Sequence, residues 1–213
     1  MDRRTFLQTA ALAALGGAVT PLAAPVNAAG REGNAMKILV LTGSPRKNGN
    51  SNLLAERFMA GAVESGHSVT RFDAAHSEVH PCIACNSCGM DGPCVFKDDF
   101  ETVREHIIPA DMVVFATPMY YFGISAQLKA VIDRFYAING RIHVPKRAAL
   151  LMTYANTAPS QAAPIAAHYE VLLDYLGWRD AGRVIAPGVW PEGSVRDTPY
   201  PEQAYRLGAG LRG

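Results

Sequence analysis

Residues 37–52, which read KILVLTGSPRKNGNSN, decide the fold of this chain. The first five residues are a short apolar run of the kind that forms a buried parallel strand. A loop of small and polar residues follows from Thr42 to Ser51, and we predict that a helix starts at Ser51 or Asn52. The unpaired N–H groups and the dipole at a helix N-terminus favour an anion. The stretch therefore predicts a phosphate site.

The loop also supplies side chains that suit a phosphate. Hydroxyl and amide groups offer donors, and Arg46 offers a bidentate guanidinium. The Gly-Lys-Ser/Thr of a Walker loop and the Gly-x-Gly-x-x-Gly of a dinucleotide site are both absent from this sequence. The alternative is an ordinary surface loop before a helix. The predicted phosphate contacts are Ser44, Arg46, Asn50, Ser51 and Asn52.

The rest of the chain alternates apolar runs with amphipathic segments. Further strands are predicted at 68–72, 111–116, 147–154 and 178–186. Helices are predicted at 51–65, 98–109, 125–136, 161–176 and, more weakly, 201–211. This alternation, without an internal repeat, predicts an α/β fold: a doubly wound five-stranded parallel sheet in the order 2-1-3-4-5 within three layers.

A second stretch follows the third predicted strand and reads TPMYYFG over residues 117–123. Ligands of open parallel sheets bind at the carboxyl ends of the strands. Pro118 restrains this loop, and backbone N–H groups from Met119 to Tyr121 could reach the edge of a flat ring. The alternative for Tyr120 and Tyr121 is packing in a core or an interface. The stretch predicts where an aromatic cofactor would dock.

Two sets of residues resemble the flavodoxin-like FMN reductases. Gly43-Ser44-Pro45-Arg46 with Gly49–Asn52 resembles their phosphate loop, and 117–121 followed by 126–129 and 132–134 resembles their ring loop. The resemblance covers about residues 36–212. It implies a flavodoxin-like FMN-dependent oxidoreductase in which the chemistry takes place on FMN and no side chain need be catalytic. It also implies NAD(P)H as a possible donor, a small-molecule acceptor, and a homodimer or homotetramer. The implied ring contacts are Pro118, Met119, Tyr120, Tyr121 and Gly123.

All the cysteines lie in a stretch from 74 to 98 that has no regular periodicity. Cys82, Cys85, Cys88 and Cys94 are spaced C-x2-C-x2-C-x5-C. This spacing resembles the cluster motif of iron–sulfur flavoproteins, which carry a [4Fe–4S] centre beside FMN. Two alternatives stay open: a structural zinc ion, and disulfides or free thiols.

The first 28 residues differ from the rest. Arg3-Arg4-Thr5-Phe6-Leu7, an Ala- and Gly-rich apolar stretch and Val26-Asn27-Ala28 resemble a twin-arginine export signal. Asp2 and Gln8 depart from its usual residues. The prediction is a signal peptide at 1–28, a periplasmic domain at 29–213, and no stable membrane insertion after cleavage. Twin-arginine substrates cross the membrane folded, which suits a tightly bound cofactor. The alternatives are a membrane anchor or a plain tail on a cytoplasmic protein.

Composition narrows the function classes. The chain is 49% hydrophobic and 18% charged, as expected for a globular protein with a core. Without a long basic run, nothing indicates nucleic acid. We predict an electron-transfer flavoprotein that passes electrons through FMN, and a [4Fe–4S] cluster if present, to a quinone-like or other small acceptor. A redox partner protein is a candidate donor. The alternatives are a conventional NAD(P)H-dependent FMN, quinone or nitro reductase without a cluster, and a non-catalytic carrier or thiol sensor.

Overall fold

Five parallel strands form the centre of the fold. The computed structural model describes residues 35–213, so the predicted signal peptide at 1–28 lies outside the described residues. The sheet has the order β2-β1-β3-β4-β5, which confirms the predicted doubly wound arrangement. The strands are β1 (Lys37–Thr42), β2 (Ser68–Asp73), β3 (Met112–Pro118), β4 (Arg147–Thr153) and β5 (Arg179–Ala186).

Helices cover both faces of the sheet. Alternate residues of β1 point to opposite faces: Leu39 and Leu41 join one apolar core, whereas Ile38 and Val40 join the other. The helices are α1 (Asn50–Glu64), α2 (Phe100–Ile107), α3 (Ala126–Asp133), α4 (Asn139–Ile142), α5 (Ala163–Leu176) and α6 (Tyr200–Ala209). The first core includes α2, α3 and α5, and the second includes α1 and α6, which gives three layers.

The helix predicted over 125–136 is shorter in the structure. It ends as α3 at Asp133 and continues as a 3₁₀ turn, Arg134–Ile138. The backbone N–H of Arg134 lies within hydrogen-bond distance of the carbonyls of Ala130, Val131 and Ile132, because the α-helix tightens here into a 3₁₀ turn. The side chain of Arg134 is buried beneath the cysteine-containing loop. The tighter turn therefore occurs where α3 meets that loop.

Helices α1 and α6 cross at two glycines. A Cβ on Gly61 would collide with the carbonyl of Tyr205, and a Cβ on Gly208 would collide with the carbonyl of Phe58. The missing side chains let the two backbones touch. This close approach holds α6, and the segment that leads into it from β5, beside α1.

No helix between residues 35 and 213 is long and apolar enough to cross a bilayer.

Candidate functional site

A pocket opens at the carboxyl edge of the sheet, where the loops after β1, β3, β4 and β5 meet. Its free volume is about 320 Å³. A separate opening of about 500 Å³ lies at the opposite edge, around Lys146 and Arg179, away from these loops. The carboxyl-edge pocket is lined by Ser44, Arg46, Gly49, Asn50, Pro118, Met119, Tyr120, Tyr121, Thr153, Tyr154, Ala155, Val189 and Trp190.

The phosphate end of this pocket is the start of α1. The helix begins at Asn50 after Gly49, and no side chain of the described residues caps it. Asn50, Ser51 and Asn52 are all buried. Because the first N–H groups of a helix have no internal partners, an uncapped and buried N-terminus leaves donors that an anion can satisfy. The geometry here fits a phosphate.

Two buried polar side-chain atoms of this turn also lack a hydrogen-bond partner among the described residues. Neither the Ser51 Oγ nor the Asn52 Oδ1 has a hydrogen-bond partner among residues 35–213. The Ser51 hydroxyl can donate to a phosphate oxygen. The Asn52 side chain is not free to donate to phosphate as predicted, because its amide N–H groups already donate to the carbonyls of Arg46 and Lys47. Its free Oδ1 can only accept, which suits a ligand hydroxyl.

Asn50 makes a different contact from the predicted one. Its Nδ2 donates to the carbonyls of Val189 (3.0 Å) and Pro191 (2.9 Å). Its Oδ1 accepts from the backbone N–H of Val195 at 3.1 Å. The side chain therefore holds the segment after β5 against the loop, and the predicted phosphate contact would be left to the backbone N–H.

The shape of the phosphate loop depends on Gly49. A Cβ at this position would overlap the Ser44 Oγ and lie 3.0 Å from the carbonyl oxygen of Arg46. The Ser44 Oγ also accepts from the backbone N–H of Arg46 at 3.3 Å. Any side chain at Gly49 would therefore displace Ser44 and Arg46, two of the five residues predicted to contact phosphate.

The predicted ring loop turns sharply at the rim of the pocket. Tyr121 and Phe122 have φ values of 46° and 64°, the left-handed region that non-glycine residues rarely adopt. Their side chains are exposed by 100% and 52%. Backbone strain of this kind is held in place by its surroundings and is concentrated at ligand sites.

Fewer backbone donors are free in this loop than the sequence predicts. The N–H of Met119 donates to the carbonyl of Thr153 at 2.8 Å, and the N–H of Tyr120 donates to the carbonyl of Gly123 at 3.0 Å. Among residues 35–213, only the N–H of Tyr121 is left without a partner in the Met119–Tyr121 stretch. A flavin edge would therefore find one of the three predicted donors.

Sequence reasoning placed most of the pocket but missed one side. Seven predicted residues line it: Ser44, Arg46, Asn50, Pro118, Met119, Tyr120 and Tyr121. Ser51 and Asn52 lie beneath the loop, and Gly123 lies outside the lining. The sequence analysis did not predict Val189 and Trp190 as lining residues. They follow the predicted fifth strand, whose carboxyl end must lie at this same edge of the sheet, so that strand was the available signal.

The four cysteines line a second, much smaller hollow, which has only about 10 Å³ of free space. The structure leaves all four free in the described part of the chain. In that same part, no three His, Cys, Asp or Glu side chains converge closely enough to hold one metal ion. The lining consists of Cys82, Ile83, Cys85, Asn86, Cys88, Cys94, Val95, Phe96, Arg134, Tyr136 and Ala137.

The loop that carries the cysteines is tightly turned. Ala84, Asn86 and Met90 all have positive φ values, of 54°, 56° and 67°. Hydrogen bonds from Ser87 lower the pKa of the Cys85 thiol. The bond from the Ser87 side chain has the larger effect, and the bond from its backbone the smaller. A lowered pKa favours the thiolate, which is the form that binds metal.

A buried ion pair anchors this loop to the body of the protein. The Arg134 Nη1 lies 2.8 Å from the Asp98 Oδ2, and the two side chains are only 1% and 4% exposed. Arg134 also donates to the carbonyl of His80 at 2.9 Å. Its guanidinium lies over the rings of Phe96 (5.3 Å) and Phe100 (4.7 Å). One cation therefore joins both ends of the cysteine loop to α3.

Comparisons with known proteins agree with this geometry. Residues 36–187 match the family model described as NADPH-dependent FMN reductase. An iron-sulfur flavoprotein of Archaeoglobus fulgidus is 28% identical over 175 residues, which are 82% of this chain and 78% of that protein. One of Methanocaldococcus jannaschii is 36% identical over 99 residues, 46% of this chain and 51% of that protein, so this match spans about half of the relative.

A solved structure shares the fold. The NAD(P)H:quinone oxidoreductase from Methanothermobacter marburgensis superposes with a TM-score of 0.65 and 20% sequence identity. The match covers 83% of this chain and 96% of that one. At this identity the likeness is one of fold, and it supports the flavodoxin-like class.

Proposed function

The chain belongs to the NADPH-dependent FMN reductase family, and we propose that it works with two redox centres. As a family member it is an FMN-dependent oxidoreductase. We propose that FMN lies in the carboxyl-edge pocket and that a [4Fe–4S] cluster is held by the four cysteines. The observation that carries the flavin assignment is the buried, uncapped start of α1 at one end of a pocket of about 320 Å³.

The residues of the pocket would divide the binding between them. Ser44, Arg46 and the first N–H groups of α1 would bind the phosphate through charge-assisted hydrogen bonds. Bound FMN supplies the electron and hydride chemistry. Tyr120 and Trp190, which line the same pocket, would shield the ring from water. No side chain of the pocket is needed as a nucleophile.

The proposal of a thiolate-bound iron centre rests on the chemistry of the cysteines, since no three of them converge on one point in the described part of the chain. All four line the same small hollow, and the pKa of Cys85 is lowered. Cysteine thiolates are the ligands that hold iron–sulfur clusters, and such clusters supply single-electron transfer. The relatives named iron-sulfur flavoproteins support this proposal.

Two cysteine substitutions test the cluster. Cys85→Ser and Cys88→Ser should each lose most of the iron and acid-labile sulfide, because a hydroxyl replaces a thiolate ligand. Both variants should keep their FMN, since the flavin pocket has no lining residue in common with the cysteine pocket. Ile83→Ala, in the same loop, is the matched control and should keep its iron. Iron contents that are equal in all four proteins would contradict the cluster assignment.

A second candidate is a conventional NAD(P)H-dependent reductase without a cluster. The four free cysteines, two of them exposed, favour it. It predicts fast NADPH oxidation by an iron-free flavoprotein, and the same rate in Cys85→Ser as in the parent protein. Two measurements therefore distinguish the candidates: the iron content of the protein, and the effect of Cys85→Ser on the rate of NADPH oxidation.

We also propose that the protein is exported to the periplasm. The support is Arg3-Arg4 and the small residues of Val26-Asn27-Ala28. NAD(P)H is kept in the cytoplasm, so an exported enzyme would take electrons from a membrane-derived donor or a redox protein. Replacing Arg3 and Arg4 by Lys should leave the protein in the cytoplasmic fraction. A parent protein found only in that fraction would contradict export.

A further inference from the structure

The segment after β5 runs from the loop after β4 to the phosphate loop. We call residues 188–195 the strap. It lies beyond the region, 36–187, that matches the family model, so its contacts are features of this chain beyond that model. At its start, the backbone N–H of Gly188 donates to the carbonyl of Asn156 at 3.0 Å. The next N–H, of Val189, donates to the carbonyl of Tyr154, also at 3.0 Å.

The strap presents one large aromatic residue, Trp190, to the flavin pocket. This residue lines the pocket and is 69% exposed, whereas Val189 before it is buried. Trp190 belongs to neither apolar core. Its main chain is nevertheless fixed, because the Arg46 Nη1 donates to its carbonyl at 3.3 Å. An aromatic side chain that is held at a pocket, and is not needed by the core, is suited to pack against a ligand.

The Asn50 side chain holds the strap on both sides of Trp190. Its Nδ2 donates to the carbonyl of Val189 at 3.0 Å and to that of Pro191 at 2.9 Å, the residues directly before and after Trp190. Its Oδ1 accepts from the backbone N–H of Val195 at 3.1 Å. The side chain is buried, and both of its N–H donors are used within the strap, so none is left for a phosphate.

We propose that Asn50 is a positioning residue, which through the strap holds Trp190 as an aromatic wall against which the flavin ring packs. Asn50 joins two parts of the site, since its backbone belongs to the start of α1 and its side chain binds the strap. The indole would cover part of the ring and exclude water from it. This inference rests on the proposed flavin site.

Riboflavin, which has the ring but no phosphate, separates this role from a phosphate contact. The flavin-free protein is titrated with FMN and with riboflavin, and binding is followed by flavin fluorescence. Asn50→Ala should weaken the binding of both by a similar factor, about fivefold, because the wall acts on the part that they share. Ser51→Ala, at the neighbouring buried hydroxyl, is the matched control and should weaken FMN alone. A loss confined to FMN in Asn50→Ala would overturn the positioning role.

A double-mutant cycle tests whether Asn50 acts through Trp190, and it needs FMN alone. Trp190→Ala removes an exposed side chain, so the fold should stay intact while FMN binds about tenfold more weakly. Trp190→Phe should restore most of the affinity. In the Trp190→Ala protein, the further change Asn50→Ala should cost less than about twofold.

The outcomes separate the inference from the proposed function. Unchanged FMN affinity in Trp190→Ala, or losses that add in the double variant, would overturn the inference while leaving the flavin site intact. A parent protein that binds neither flavin would overturn the proposed function itself, and the inference with it.

Discussion

Arg134→Met is expected to lower the free energy of unfolding by about 3–5 kcal/mol, the usual cost of removing one partner from a buried ion pair. Asp98, 4% exposed, would be left with a buried charge. The carbonyl of His80 would lose a donor, and the ring of Phe100 would lose its cation. Urea denaturation of the parent protein and the variant at pH 7 measures the difference.

An exposed ion pair in the same region provides the control. Arg141 and Asp91 lie 2.8 Å apart, but their side chains are 55% and 52% exposed. Arg141→Met should therefore cost less than about 1 kcal/mol. If Arg134→Met cost no more than Arg141→Met, the buried pair would not anchor the cysteine loop.

The effect of Arg134→Met should also depend on pH. Burial alone would raise the pKa of Asp98, but hydrogen bonds from Arg134 and His80 outweigh it and lower the pKa to about 2. The stabilisation from this carboxylate is thus complete above its unfolded pKa of about 3.9 and is lost as the pH falls through about 2. The stability gap between parent and variant should narrow between pH 5 and pH 2. A gap that stays constant over that range would mean that Asp98 does not carry the effect.

Gly49→Ala is expected to weaken FMN binding about 100-fold, which corresponds to about 2.7 kcal/mol. The new Cβ would overlap the Ser44 Oγ and crowd the main-chain carbonyl of Arg46, so these two of the predicted phosphate-contacting residues would move. Losing one or two charge-assisted hydrogen bonds, each worth about 1.5–3 kcal/mol, accounts for this size. Titration of the flavin-free protein with FMN measures it.

Stability measurements separate a binding defect from misfolding. The added methyl group should cost the flavin-free protein only about 1–3 kcal/mol. Gly140→Ala is the matched control, because a Cβ there meets nothing closer than Asp91 at 3.6 Å. Both the stability and the FMN affinity of Gly140→Ala should stay near the parent values. Unchanged FMN affinity in Gly49→Ala would show that the phosphate lies elsewhere.

Local patterns in the sequence predict much of this fold. The apolar run 37–41 and the polar loop after it correspond to β1 and to the start of α1, which begins at Asn50. The strand order follows from the β-α alternation and is confirmed. Strands and helices are predictable here because each is decided by residues only a few positions apart.

The features that sequence reasoning missed are long-range contacts. Asn50 looked like a phosphate ligand, but it binds carbonyls about 140 positions further along the chain. Met119 looked like a free donor, but its N–H pairs with the end of β4 at Thr153. In the sequence, Arg134 belongs only to the stretch 132–134 that resembles the ring loop of the family. Its ion-pair partner Asp98 lies 36 positions away and could not be predicted from that stretch. Nothing in a local pattern shows which distant carbonyl will satisfy a given donor.

Two expectations stay predictions. The export signal lies outside the described residues, and the homodimer or homotetramer concerns chains beyond this one. Both bear on the electron donor and acceptor, because location decides which donors the enzyme meets.

The most direct measurement is the flavin, iron and sulfide content of protein folded in the cytoplasm and purified without oxygen. We expect about one FMN and about four irons per chain, as a flavin site and a [4Fe–4S] centre require. A protein that lacks flavin, and does not take up added FMN, would contradict the assignment of the carboxyl-edge pocket. FMN without iron would contradict the cluster and leave the conventional reductase as the function.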